Sequence, residues 1–466
     1  MMTLQQARDW LAARQVPAVL VGDGQTLISR VHTDTRTLQS GDLFVALKGE
    51  NFDAHDFLAQ AKATGATAAM AQHGLSKAGL PGLQVSDSKL ALGQLAAGWR
   101  SQFDLPLIAV TGSNGKTTVT QMIASILRAW KFDAAFATQG NFNNDIGVPL
   151  TLLRLKPAHQ VGVVELGMNH PGEIAYLASL SRPAIALVNN AQREHLEFMA
   201  TVEAVALENG SVIEALGAQG IAVFPADDAY TALWQKMAGL RKVLTFTLQG
   251  TADITAAAHW INNRWQVQAA TPSGPVEFTL GIAGRHNIKN ALAATACALA
   301  AGVPLHSIAA GLNAFLPVKG RSRTVQVTVS GRLVDLIDDT YNANPDSMRA
   351  AIDVLAELPG PRLLVMGDMA EVGSEGPQFH EEAGRLARER GIDQLFALGV
   401  QSLGATRSFG QAQHFNDMAA LNAAVLAALP QFASVLVKGS RSMKMERVVQ
   451  SISAAHTIFP EPSHAA

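Results

Sequence analysis

A single cysteine, Cys297, occurs among 466 residues. That excludes an internal disulfide framework and a cysteine-built zinc site, and it fits a reducing compartment. Excess charge is missing too: 36 Lys and Arg stand against 38 Asp and Glu, so there is no broad basic field to attract nucleic acid or anionic lipid. Any polyanion bound is expected to be small. The most apolar tail segment, LNAAVLAALPQFASVLV, is interrupted by Asn422, Pro430 and Gln431 and makes a poor membrane span. The start, MMTLQQARDW, lacks the basic and then apolar stretches of a signal peptide. No fixed-period repeat or low-complexity tract occurs. The expectation is a soluble cytoplasmic protein, monomeric, without a nucleic-acid partner or membrane span.

What is present is an alternation of apolar runs and helical patterns over a length of about three domains. The first block, 1–83, mixes short strand-like runs such as DLFVAL (42–47) with a helical stretch near 57–64, and ends in the breaker-rich SKAGLPG. The second, 84–312, carries a strand at 107–110, and then Met122, Ile123, Ile126, Leu127 and Trp130 at helical spacing. VGVVEL, AIALVNN and IAVFPA follow as fully apolar runs separated by helical segments, which predicts a parallel sheet covered on both faces. The third block, 313–466, repeats that grammar in LVDLIDD, RLLVMGD, QLFALG and SVLVKGS. The fold class is therefore α/β, with two successive parallel-sheet domains after a smaller one. Ligands are expected at the carboxyl ends of the strands.

LIAVTGSNGKTT, Leu107 to Thr118, reads as a phosphate loop: Gly112 and Gly115 allow close backbone approach, and the following helix points its positive end at an anion. Lys116 would reach terminal phosphates and the Thr117 hydroxyl would ligate Mg²⁺. The loop is shorter than the strict pattern, which would put glycine where Val110 stands. An ordinary strand-turn-helix junction is the plainer alternative. Glu165 ends an apolar strand, where its carboxylate faces the same metal or simply a solvated turn. His195 follows the next strand, as a ligand or as a structural imidazole.

TGSNGKTT, GNFNNDIGVPLTLL, VELGMNHPGEI, the His-Leu-Glu of 195–197, GRHNIKNALAA and DDTYNANPDSMRAAI together resemble the Mur ligase family. VLVKGSRSMKME and DTRTLQSGDLFVALKGENFDAHDF strengthen the likeness, which extends from about Asp34 to Glu446. The resemblance implies an N-terminal UDP-sugar domain (1–83), a central ATP-binding domain (84–312) and a C-terminal Rossmann-like domain that binds the incoming amine (313–466). It implies an ATP-dependent amide ligase: the γ-phosphate activates the acid end of UDP-N-acetylmuramoyl-tripeptide as an acyl phosphate, and the amine of D-alanyl-D-alanine displaces it. The KGSRSMKME block favours that dipeptide over the substrates of an earlier stem-peptide ligase or a folylpolyglutamate synthetase. A nucleotide switch that forms no amide is the alternative of another class.

Carried over residue by residue, the resemblance makes Gly112, Ser113, Asn114, Gly115, Lys116, Thr117 and Thr118 the ATP phosphate loop, with Lys116, Glu165 and His195 catalytic. Thr117, Glu165 and His195 become Mg²⁺ ligands. Asn287 and Asn290 match adenine-side positions, with helix capping by Asn287 as the bland alternative. Arg321 and Asp339 match groups reaching ATP phosphate and ribose; Asp338 beside Asp339 is also compatible with a strand-end turn. Thr35, Arg36, Lys48 and Gly49 look like UDP-sugar contacts, and Thr138, Asn141, Asn143 and Asn144 like acceptor contacts, although Asn-rich loops also form left-handed turns. Asn342, Asn344, Lys438, Ser440 and Arg441 are the remaining substrate contacts. Lys438, Ser440, Arg441 and Lys444 are expected between a strand and a helix start, where cations oppose the dipole and so suit an awaited anion; Arg441 or Lys438 would hold a substrate carboxylate. A solvated basic helix start is the alternative.

One departure stands out. Family members commonly carry a lysine that becomes carbamylated and positions a second Mg²⁺, whereas the ungapped count from His195 reaches Glu208-Asn209-Gly210-Ser211 here. Asn209 cannot form a carbamate, so a weaker or rebuilt second site is expected, with Glu208 as one candidate and activity independent of bicarbonate.

Overall fold

The computed structural model describes residues 1–261 and 264–459; the end of the third block, 460–466, lies outside the described residues. Three main sheets follow one another along the chain. The first contains β1 (Ala18–Val21), β2 (Arg30–His32), β3 (Asp42–Val45), β4 (Ala68–Ala71) and β5 (Gly82–Val85) in the order β1-β5-β4-β3-β2. Helix α1 (Leu4–Ala13) starts at a capping box formed by Thr3 and Gln6. Its Trp10 packs 5.9 Å from Trp99 of α2 (Ser88–Arg100). Leu4, Leu11, Leu92, Leu95 and Leu107 belong to one buried cluster, so the N-terminal unit is continuous with the layer under the central sheet.

The central sheet is wholly parallel: β6 (Leu107–Thr111), β7 (Ala135–Ala137), β8 (Val161–Glu165), β9 (Ile185–Val188), β10 (Ile221–Pro225) and β11 (Lys242–Phe246), in the order β11-β10-β9-β6-β8-β7. Every residue of β6, β8 and β9 is buried, which is why these strands read as unbroken apolar runs. Helix α3 (Lys116–Lys131) lays Met122, Ile123, Ile126 and Leu127 on one face of the sheet, as its spacing predicts. Since β6 lies between β8 and β9, the chain reverses its winding direction there, and the crevice at the strand ends opens beside β6.

After β11 comes an antiparallel meander, Thr255–Ile261, Arg264–Thr271 and Gly274–Leu280, which an all-parallel reading of this block does not contain. Its strands alternate inward and outward residues, as in Trp265, Val267 and Ala269 against Gln266 and Gln268. Helix α4 (Arg285–Ala300) then returns to the central sheet.

The third sheet has seven strands: β12 (Arg323–Val329), β13 (Arg332–Asp339), β14 (Arg362–Gly367), β15 (Gln394–Leu398), β16 (Ala412–Phe415), β17 (Ser434–Lys438) and β18 (Thr457–Phe459), in the order β16-β15-β14-β17-β13-β12-β18. The four runs LVDLIDD, RLLVMGD, QLFALG and SVLVKGS supply its parallel core, and only β12 joins its neighbours antiparallel.

Candidate active site

The turn from β6 into α3 needs both of its glycines. Gly112 has φ +129° and a Cβ there would come within 2.9 Å of the Asn189 backbone nitrogen; Gly115 has φ +82° and its Cβ would meet Asn290 Oδ1 at 2.6 Å. The end of β9 clamps this turn. Asn190 Oδ1 accepts from the Asn114 N–H at 2.8 Å, and Asn189 Nδ2 donates to Asn114 O at 2.8 Å. Lys116 Nζ donates to Gly112 O at 2.6 Å and Ser113 O at 2.9 Å, and lies 2.8 Å from Glu194 Oε1.

Beside the loop, the Thr117 hydroxyl donates to Glu165 Oε1 at 3.1 Å, and Asn143 Nδ2 donates to the same oxygen at 2.8 Å. Thr138 accepts from the Glu165 N–H at 3.0 Å, placing the end of β7 next to the carboxylate. His195 has φ +51° and its Nε2 lies 3.6 Å from Glu194 Oε1, while its Nδ1 is 2.8 Å from Glu371 Oε2 without hydrogen-bond alignment. Glu371 also has a positive φ, +61°, so two strained residues meet where the central and third units touch. The His195 contact holds the Glu371 carboxyl below its ordinary range. Glu194 Oε2 is buried with no hydrogen-bond partner among the described residues. This set of carboxylates, a hydroxyl and an imidazole fits a hard divalent cation.

Lys116, Glu165, Glu194, His195 and Glu371 line one cavity of about 650 Å³, together with Asn141, Asn143, Asn144, Asn287, Asn290, Arg321, Asp339, Asn342, Asn344, Lys438 and Arg441, while Thr117 and Thr138 line an adjoining groove. Asn287 does not cap α4: Gly284 is the cap residue, and Asn287 Nδ2 donates to Ala283 O at 2.7 Å. Asn290 Nδ2 donates to Asn287 Oδ1, and Asn290 Oδ1 accepts from Asn189, so the pair braces the phosphate loop against α4.

Asp339 and Lys438 end adjacent parallel strands in register, and Lys438 Nζ lies 2.6 Å from Asp339 Oδ2. Burial works to raise the Asp339 carboxyl, but the Lys438 ammonium beside it brings it below its ordinary value. Lys438 also donates to Asn342 O at 2.9 Å, so its charge is matched by Asp339 and one of its three N–H donors is left for a ligand. Arg441 remains available, 5.8 Å above the Tyr341 ring, which also carries Arg321 at 4.0 Å. Neither Lys438 nor Arg441 stands in the first turn of an α-helix, so no α-helix dipole opposes them as expected. The helix, α5 (Glu446–Ala455), begins beyond them, and Arg441 follows β17 in a 3₁₀ turn with Nη1 3.3 Å from Glu446. Lys444 is left-handed, at φ +53°.

Other expected residues are not gathered here. Ser440 is buried, its hydroxyl accepting from the Ala370 N–H at 2.6 Å, and it does not line the cavity. Thr35, Arg36, Lys48 and Gly49 lie on the N-terminal unit, outside this cavity; Arg36 pairs with Asp34 at 2.7 Å and Lys48 lies 3.9 Å from Asp53. Nearby Asp53, His55 and His73 approach metal-binding distance. His55 is committed, however: Nε2 accepts from the Gln72 N–H and Nδ1 bonds Asp53.

Asn209 is buried, with Oδ1 accepting from Thr111 Oγ1 at 2.6 Å and the Gly112 N–H at 3.0 Å, and Nδ2 donating to Val205 O. It anchors the first turn of the phosphate loop. Glu208 caps the helix Glu173–Ser181 through the Gly172 and Ile174 N–H groups, one on each oxygen, and does not line the cavity.

Sequence reasoning missed Glu194 and Arg193, although both stand in the NNAQREHLE stretch. Arg193 forms a bidentate pair with Asp346 at 2.7 Å and reaches Glu382 at 2.9 Å, tying the β9 loop to the third unit. The available signal was position, since both residues follow a buried strand that borders β6.

Family models match along the chain: "Mur ligase family, catalytic domain" at 27–100, "Mur ligase middle domain" at 110–298 and "Mur ligase, glutamate ligase domain" at 320–441. An Escherichia coli K12 relative, UDP-N-acetylmuramoyl-tripeptide–D-alanyl-D-alanine ligase, is 45% identical over 429 residues, covering 91% of this chain and 94% of its own. The UDP-N-acetylmuramoylalanyl-D-glutamyl-2,6-diaminopimelate–D-alanyl-D-alanyl ligase structure from Acinetobacter baumannii superposes with TM-score 0.85 at 35% identity, covering 97% and 98% of the two chains. A MurF ligase from Thermotoga maritima in complex with ADP gives TM-score 0.81 at 26% identity, covering 93% and 99%.

Proposed function

The chain belongs to the Mur ligase family, and on that premise we propose that it joins D-alanyl-D-alanine to UDP-N-acetylmuramoyl-tripeptide with cleavage of ATP to ADP and phosphate. The observation that carries the reading is the convergence of Lys116, Glu165, His195, Arg321 and Arg441 on one cavity between two α/β units. Residues 1–83 would hold the UDP-sugar through Thr35, Arg36, Lys48 and Gly49, 84–312 the nucleotide, and 313–466 the incoming dipeptide. The third residue of the tripeptide is 2,6-diaminopimelate in this reading, as in the name of the Acinetobacter relative.

A peptide carboxylate is a poor electrophile at neutral pH. Transfer of the γ-phosphoryl group to one carboxylate oxygen releases ADP and leaves a carbonyl with phosphate as leaving group. The dipeptide amine then attacks that carbon, the C–O bond to phosphate breaks, and the ammonium proton passes to solvent. Lys116 offsets charge on the transferring group, as a preorganised donor does in a water-poor site. Thr117, Glu165 and His195 would hold Mg²⁺, which draws charge from the phosphate oxygens. Asn143 orients the Glu165 carboxylate, and Asn190 and Asn189 fix the loop by taking the Asn114 N–H and donating to the Asn114 carbonyl. Arg441, rather than Lys438, is the group assigned to the dipeptide carboxylate.

Contact between the units excludes water that would hydrolyse the acyl phosphate. Asn114 of the loop and Asn344 of the third unit bond each other at 3.0 Å across it. No helix among the described residues is long and apolar enough to cross a membrane; the cytoplasm, where ATP is abundant and Cys297 stays reduced, is the compartment we assign. The test is ADP release. It should require the UDP-linked tripeptide and D-alanyl-D-alanine together, and basal hydrolysis indifferent to both would contradict the ligase reading.

A further inference from the structure

A second groove, of about 1290 Å³, runs along β7, the edge strand of the central sheet. It is continuous with the nucleotide cavity, because Asn141, Arg321 and Tyr341 line both. Its charge is one-sided. Arg128, Arg154, Lys156 and Lys319 all face it, and no Asp or Glu lines it among the described residues. Arg30 also lines it but is neutralised by a bidentate pair with Asp42.

Arg154 differs from the other cations. It is half-buried, its guanidinium sits 5.6 Å from the Phe136 ring, and no protein acceptor bonds it among the described residues. Burial pushes it below the ordinary arginine value, as expected of a charge without an anion. The reacting carboxylate of the acceptor must reach the Thr117–Glu165 end of the groove, beside Thr138. Phe136 precedes Thr138 by two strand residues, about 7 Å. The two carboxyl carbons of an extended diaminopimelate are six carbon–carbon bonds apart, about 7–8 Å. The methylenes between them would lie against Phe136, Ala137 and Leu153 of the groove wall.

We propose that Arg154 receives the side-chain carboxylate of the tripeptide's third residue. The enzyme is thereby selective for a third residue whose side chain ends in an acid, as diaminopimelate does and lysine does not. A lysine ammonium in the same place would face Arg154 with no acid to offset it. The inference rests on the ligase reading and adds to it the residue that sets acceptor specificity.

The test compares kcat/KM for diaminopimelate- and lysine-containing UDP-N-acetylmuramoyl-tripeptides in wild type, Arg154→Ala, Arg154→Lys and Arg154→Glu. Wild type should favour the diaminopimelate substrate by about tenfold or more, the size of a charge-assisted hydrogen bond. Arg154→Ala should remove most of that preference through KM, Arg154→Lys should restore part of it, and Arg154→Glu should turn it toward lysine. Equal losses on both substrates would mean that Arg154 reads an anion they share, the diphosphate or the D-glutamyl carboxylate, and would overturn the inference. So would a wild type that is active but indifferent to the third residue. Wild-type enzyme inactive on both substrates would instead sink the ligase reading and this inference with it. An unchanged unfolding midpoint for Arg154→Glu, together with its reversed preference, separates specificity from folding.

Discussion

Lys116 and Glu194 form an ion pair with Nζ and Oε1 2.8 Å apart, and their side chains are only 13% and 12% exposed. One comes from the first residue of α3 and the other from the loop after β9. The ammonium also sits on the Gly112 and Ser113 carbonyls of the loop, so a phosphate bound there must share or take it. Glu194→Gln should tighten ATP binding severalfold in the absence of peptide, read by calorimetry. Lys116→Met should cost about 10²–10³ in kcat, the usual effect of removing one donor to developing charge, with little change in the KM for D-alanyl-D-alanine.

Asn209 ties α-helical residues 202–214 to the phosphate loop through two hydrogen bonds, while its Nδ2 bonds Val205 O within the helix. Asn209→Ala would leave the Gly112 N–H without its acceptor in a buried site and should lower stability by about 2–4 kcal/mol, measurable by denaturant unfolding. Because this side chain is an amide bonded to backbone, turnover should be the same in carbon dioxide-depleted and bicarbonate-supplemented buffer. A lysine-dependent second metal site predicts a clear difference instead.

Much of this architecture was legible in the sequence because buried parallel strands cannot be anything but apolar. VGVVEL and AIALVNN declared themselves, and the phosphate loop stood out between a strand and an amphipathic helix. The meander at 255–280 was not legible, since its alternation is diluted by alanine and interrupted by exposed Trp260 and Ile261. At the site, residue type alone does not show that Lys438 is already paired: a cation at a strand end looks like a free anion receptor until the adjacent strand supplies Asp339. Glu194 and Arg193 were hidden for the opposite reason. Their partners lie 78 and 153 residues away in the chain, and pairing at such separation leaves no local pattern.

Arg193 joins the β9 loop to Asp346 and Glu382 of the third unit while stacking 5.1 Å from the Phe379 ring. Burial works against its charge, but the two carboxylates more than offset it, and Arg193 in turn holds Glu382 below its ordinary value. Arg193→Ala should shift the units toward an open arrangement. The expected signs are a larger radius of gyration by small-angle scattering and a kcat lower by about tenfold, corresponding to the 1–2 kcal/mol of a partly exposed network. Wild-type turnover should fall with added salt more steeply than the variant's.

The Asp339–Lys438 pair gives a pH dependence. Its carboxyl titrates below the ordinary value when folded, so its stabilisation is complete above the unfolded carboxylate range, near pH 4. It is lost only as the pH falls through the lower folded value. Stability at pH 6–8 should therefore be flat with respect to this pair, with a decline below about pH 4 that Asp339→Asn removes. That variant should be destabilised by about 3–5 kcal/mol at pH 7, because Lys438 is left buried without its anion. Comparing unfolding free energies of the two proteins at pH 7 and pH 3.5 checks both statements.

In the proposed reaction the phosphoryl group passes to the peptide's own carboxylate oxygen. The direct measurement uses UDP-N-acetylmuramoyl-tripeptide labelled with ¹⁸O in its terminal carboxylate, incubated with ATP, Mg²⁺ and D-alanyl-D-alanine. One labelled oxygen should appear in the released phosphate for each amide bond formed. Phosphate that carries only oxygens from ATP and water, with amide still accumulating, would contradict the account.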